Sequence, residues 1–184
     1  MKTLFIDSKP YSDMLKRLLI INNPDCLDKD SPNNEKYQKM IDSKSLGDMV
    51  EEGYIRLNPK IPRGEHEDIK AYIVLTFDNF EPSKNPEFRD CTVNFDIICY
   101  MDAWCLDNYQ VRPLKICGYI DGILNTLTDK NKSIAKSVGD HIKLSGIGEY
   151  NFLGCDEAVL NEDLGMYGLS YRAVHFTEDL TDGQ

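Results

Sequence analysis

Between Phe88 and Cys105 the chain reads FRDCTVNFDIICYMDAWC, and the alternation in this stretch limits what the rest of the sequence can build around it. Cys91, Val93, Phe95, Ile97, Cys99, Met101 and Ala103 fall on one parity; Thr92, Asn94, Asp96 and Asp102 fall on the other. Successive side chains of a strand point to opposite faces, so the pattern predicts a long, half-buried β-strand with one apolar face. Such a strand needs partners along its edges and a layer of structure over its apolar side.

The same stretch holds three of the chain's six cysteines, which raises the question of a metal or redox centre. At roughly 3.3 Å per residue, Cys91 and Cys99 share a face but stand about 26 Å apart, and Cys105 lies about 20 Å beyond Cys99 unless the chain turns sharply after Trp104. A zinc ion holds its sulfur ligands at about 2.3 Å, so these cysteines cannot share one. C-x-x-C does not occur anywhere. The cysteines therefore read as small core-facing residues, with all six thiols expected to be free.

With 184 residues and 41% apolar content the chain is long enough for one good core. One α+β domain is expected over residues 1–176, with a polar excursion at 22–45 and an acidic flexible tail at 177–184. No apolar run approaches the length of a membrane span and the start, MKTLFIDSKP, is too polar for a signal peptide, so the expectation is a soluble chain made in a reducing cytoplasm. A net charge of −10 argues against gripping nucleic acid, since that affinity rests on Lys and Arg neutralising phosphates.

Along the chain, a first helix is predicted from Ser8 to Ile21, with Pro10 early, Asp13 in the first turn, and Tyr11, Met14, Leu15, Leu18 and Leu19 at helical spacing. A short helix is expected around Glu35 to Ile41. Ser45-Leu46-Gly47-Asp48 gives an S-x-x-D capping pattern, and Gly53 stops that turn. Strand composition appears next at Tyr54 to Leu57 and Ala71 to Phe80, on either side of the acidic NPKIPRGEHED. Val111 to Leu127 is the strongly amphipathic helix, with Ile116, Ile120, Ile123, Leu124 and Leu127 as its stripe. Further strands are expected at His141 to Ile147, Tyr150 to Leu160 and Met166 to Phe176. This order predicts a mostly antiparallel sheet with an N-terminal helix and one central amphipathic helix packed on one face.

Motifs for chemistry fail on inspection. Gly146-Ile147-Gly148 lacks the third glycine of a dinucleotide fingerprint, because Asn151 stands there, and the run YNFLGC after it is strand-like; a hairpin turn or bulge is the better reading. Asp28-Lys29-Asp30 has Asn33 where a calcium loop needs glycine. His66-Glu67-Asp68 lacks the second imidazole of a zinc hydrolase, and Ser170 lacks the closing glycine of a nucleophile elbow. A thiol and imidazole brought together by the fold, from Cys155, His141 and His175, is the remaining catalytic arrangement. No catalytic, cofactor or metal residues are assigned.

Gly118 and Gly122 stand out instead. A step of 100° per residue puts both on the helix face opposite the apolar stripe, where glycine costs about 1 kcal/mol against alanine. They make sense if another backbone comes close, as in a subunit contact.

The order of parts, the pattern RPLKICGYIDGIL and the closing GMYGLSYRAVHF resemble the tail-terminator and related head-to-tail connector proteins of tailed bacteriophages, over Leu46 to Phe176. The resemblance implies a virion structural protein of the neck, with no cofactor and no chemistry. It would form a homo-oligomeric ring of six or twelve copies stacked on portal, adaptor or tail-tube proteins, and DNA would pass through without specific binding. The competing expectation is a small cytoplasmic enzyme or ligand-binding protein with a site assembled from scattered residues. A module that binds another protein by its sheet edge is a third.

Overall fold

The structure, a computed structural model, describes residues 1, 3–7, 10–57, 70–82, 89–125 and 147–175. It is an α+β fold with four α-helices, α1 (Tyr11–Ile20), α2 (Asn34–Asp42), α3 (Leu46–Glu51) and α4 (Arg112–Asn125), among the described residues. The strands β1 (Ile55–Arg56), β2 (Ala71–Pro82), β3 (Arg89–Tyr100), β4 (Ile147–Val159) and β5 (Leu164–His175) make one sheet in the order β1-β2-β3-β5-β4. All neighbours are antiparallel except β1 and β2.

The alternating stretch is the central strand. Cys91, Val93, Phe95, Ile97 and Cys99 of β3 are buried toward the main core, where Leu15, Leu18, Ile116, Ile120 and Ile123 meet them from α1 and α4. The parity ends sooner than the sequence suggested. After Tyr100 the chain tightens into a 3₁₀ turn at Met101–Ala103, so Met101 is exposed and Ala103 reaches the core from the turn. Cys105 then bridges Val111 and starts the run into α4. Ile98 is also buried, because the other face carries a smaller apolar cluster of Tyr72, Val74, Ile98 and Leu164. The sheet is thus covered by helices on one face and partly self-covered on the other.

One residue ties the helical layer together. Arg112, at the start of α4, is buried and uses its whole guanidinium on main-chain carbonyls: Nε donates to Ala103 at 2.7 Å, Nη1 to Leu18 at 2.8 Å and Ile21 at 2.7 Å, and Nη2 to Asn22 at 2.8 Å and Asn23 at 3.0 Å. Leu18 and Ile21 lie at the C-terminal end of α1, whose last carbonyls have no intrahelical partner and carry the negative end of the helix dipole. A cation there satisfies those oxygens and fixes α4 against α1.

The polar excursion after α1 is ordered by the same economy. Asp25 accepts hydrogen bonds from Ser31 Oγ at 2.6 Å and Tyr37 Oη at 2.7 Å, and Arg17 reaches Gln38 at 2.8 Å, so α2 is latched back onto α1. Ser45 and Asp48 form the reciprocal capping box expected of them, and Gly53 leaves α3 with φ of +90°, a conformation open to glycine. Gly165 matters for a different reason: a Cβ there would come within 2.5 Å of the Trp104 ring, which lies against β5.

The C-terminal half departs from expectation at one joint. No break falls at Gly148 between Ile147 and the strand expected at Tyr150 to Leu160. Ile147–Val159 runs as one strand with register shifts at Ile147/Glu149 and Phe152/Gly154, so Gly148 sits at a bulge. His141 to Gly146, Leu127, the NPKIPRGEHED segment and the acidic tail lie outside the described residues.

Candidate functional site

Among the described residues, the surfaces that the fold leaves uncovered are its two sheet edges, its polar face and the outer strip of α4. β4 lies at one end of the strand order and pairs only with β5 among the described residues. At the other end, β1 covers only Ile73 and Val74 of β2. From Leu75 to Pro82, β2 therefore has a single strand partner, β3, among the described residues. Unpaired edges offer main-chain donors and acceptors to another chain.

Among the polar side chains of these edges stand several large apolar ones that are exposed. Phe77, Val93, Tyr171 and Phe152 stand in one register row across β2, β3, β5 and β4. The inner two are buried, whereas Phe77 is 51% and Phe152 52% exposed. The core row thus runs out into solvent at both ends. Phe80 beside one edge and Leu153 and Val159 along the other are exposed as well. Phe152 is held in place by an edge-on contact with Tyr171 at 5.7 Å between ring centres.

On the face that carries no helix among the described residues, here called the helix-free face, the distal half of the sheet is polar. Ser170 Oγ donates to Asn94 Oδ1 at 2.7 Å, and Asn94 Nδ2 donates to Asp78 Oδ2 at 3.0 Å. Asp96 lies on the same parity, and burial together with the charge of Asp78 pushes its carboxyl above the usual value. Arg172 reaches Glu81 at 2.8 Å and Asp90 at 3.7 Å. Ser170 is thus a rung of a hydrogen-bonded ladder and not a nucleophile at an elbow.

On α4, Leu114 and Gly118 are exposed and Gly122 is half-buried, four residues apart on one side of the helix. A Cβ added at either glycine would meet nothing within 4 Å among the described residues, so their packing does not require glycine at either position.

The other sequence candidates scatter. Cys91 and Cys99 are buried in the core and Cys105 is exposed on the turn. Asp28 accepts from its own loop, at the main-chain N–H of Asp30, 2.9 Å away. Among the described residues, no group of three or more His, Cys, Asp or Glu is placed to hold a metal ion. His66 and His141 lie outside the described residues, as does the side chain of His175. The sequence reading missed two features: the Arg112 clamp, whose only sign was an arginine entering an apolar helix, and the approach of Cys155 on β4 to Cys117 on α4, with 4.0 Å between the sulfurs.

A hollow of about 500 Å³ on the outer flank of α2 is lined by Glu35, Lys36, Lys39 and Met40 among others. Its walls are long, solvated side chains and not the apolar enclosure of a small-molecule site.

Residues 12–173 match the family model described as YomW. Comparison with curated proteins and with solved structures finds no match.

Proposed function

Since the chain belongs to the YomW family, which is phage-associated, we propose that it is a virion structural subunit that closes into a ring in the head-to-tail connector, around the channel through which DNA passes. The observation that supports this reading best is the pair of unlike sheet edges, β4 on one side and the distal half of β2 on the other, each flanked by half-exposed aromatic residues. Identical subunits that join through two different surfaces build either a closed ring or an open filament, depending on whether the rotation closes. A ring of six or twelve copies is the closed solution consistent with the connector resemblance.

The charge fits the same role. With a net charge of −10, and with Asp78, Asp96, Glu81 and Asp90 on the helix-free face, the subunit repels passing DNA and does not hold it. In this role it works without cofactor or catalysis, and its partners are its own copies and the portal, adaptor or tail-tube proteins above and below.

The test is assembly of the purified protein and of Leu153→Glu, followed by light scattering and negative-stain imaging. A charge on an edge strand is a standard barrier to further pairing. The wild type should give closed rings, alone or seeded by virion necks, and the variant should remain monomeric with an unchanged melting temperature. A variant that assembles like the wild type would show that β4 is not a contact.

A further inference from the structure

Cys117 and Cys155 are 38 residues apart in sequence, yet their sulfurs lie 4.0 Å apart between α4 and the edge strand β4. The register places Cys155 opposite Leu169, on the helix-covered face, so its side chain shares the α4 side of the sheet with Cys117. Cys117 is buried and Cys155 exposed, which gives one thiol of the pair access to solvent. Four groups frame the pair: Asp121 on α4, Glu157 on β4, and Tyr167 and Tyr171 on β5. Tyr171 donates to Asp121 at 2.6 Å and Tyr167 to Glu157 at 2.9 Å. Burial, reinforced by Cys155, pushes the Cys117 thiol pKa up, so this thiol stays protonated at neutral pH.

We propose that Cys117 and Cys155 are a modification site, a dithiol that closes into an intramolecular disulfide when the protein meets a low-molecular-weight disulfide such as oxidised glutathione. Cys155, as its thiolate, attacks one sulfur of the oxidant, forming a mixed disulfide and releasing one glutathione thiolate. Cys117 loses its proton to solvent base and attacks the Cys155 sulfur. The second glutathione thiolate leaves. Two protein thiols are oxidised, one disulfide oxidant is reduced to two glutathione thiolates, and these take up the two released protons through solvent. A disulfide needs its sulfurs at about 2.05 Å, so the pair must close by about 2 Å. The bond would fasten the edge strand to α4 and close the chain between them into a loop. The proposal does not depend on the connector role.

The experiment treats the purified full-length protein with oxidised glutathione, quenches with acid, and maps peptides by mass. The expected product is a monomer lighter by two hydrogens, with Cys117 and Cys155 in one cross-linked peptide. Closing a loop of this length should raise the melting temperature by roughly 10 °C, reversibly with dithiothreitol. Cys155→Ser should abolish both changes and Cys105→Ser should leave both intact, and since these two cysteines are exposed the variants should fold. A glutathione adduct that persists on Cys155, a bridge that uses Cys105 or joins two chains, or no reaction at all would overturn the proposal.

Discussion

Arg112 has more influence on this fold than its place in the sequence suggests. Its donors meet five main-chain carbonyls from the end of α1, the segment after it and the turn before α4. Replacing it with alanine takes a charged donor from the carbonyls of the buried residues Leu18, Ile21 and Ala103, at a cost of about 3 to 5 kcal/mol. Arg112→Lys recovers the charge but not the planar fork, so it should fall between. Thermal melts should show a drop on the order of 10 °C for the alanine variant and a smaller one for lysine. Asp96 works in the opposite direction. Burial and the charge of Asp78 raise its pKa above the ordinary aspartate value of 3.8, so the folded state holds this proton more tightly than the unfolded state does. Its contribution to stability is therefore lost as pH rises from that value through the folded pKa, and at neutral pH the charged carboxylate is a cost. Asp96→Asn should raise the melting temperature at pH 7 and have no such effect at about pH 3.5, below the unfolded pKa. Neither role is legible from the sequence. Arg112 looks like a solvated residue in a first helical turn, and Asp96 like any polar residue on the outer parity of a strand, because both depend on what the fold brings beside them.

Among the elements, those set by local rules were readable. The Ser45/Asp48 capping box, the Pro113 entry into α4 with Ile116, Ile120, Ile123 and Leu124 as its stripe, and the buried parity of β3 all arise from patterns within a few residues. The unreadable parts depend on tertiary surroundings. β3 stops at Tyr100 because Met101 begins a turn that alternation alone does not mark. Ile147–Val159 continues through Gly148 because β5 pairs with the residues on both sides of that bulge. The glycines of α4 were legible as an anomaly, and the structure adds that each has room for a side chain. Gly118→Ala and Gly122→Ala should each stabilise the free subunit by about 1 kcal/mol, seen as a small rise in melting temperature. Gly122→Leu should also leave the monomer folded while reducing ring formation in a size-distribution measurement. If assembly of the leucine variant matches the wild type, this strip of α4 faces solvent in the particle.

At the scale of the whole molecule, a five-stranded sheet with its helices on one face and exposed aromatic residues at both edges is suited to joining copies of itself. Both edges also carry carboxylates, Asp78 and Glu81 on β2 and Asp156 and Glu157 on β4. Association through them should therefore strengthen as salt screens the repulsion, in contrast to binding of DNA, which salt weakens. Sedimentation at low and high salt would check the sign, and assembly lost at high salt would count against edge pairing. The most direct test of the central claim is cryo-EM of the parent virion. The account predicts this chain in the neck, in rotational symmetry about the tail axis, with neighbouring subunits joined at β4 and the distal half of β2. Its absence from the virion, or the isolated subunit turning over a small substrate, would contradict it.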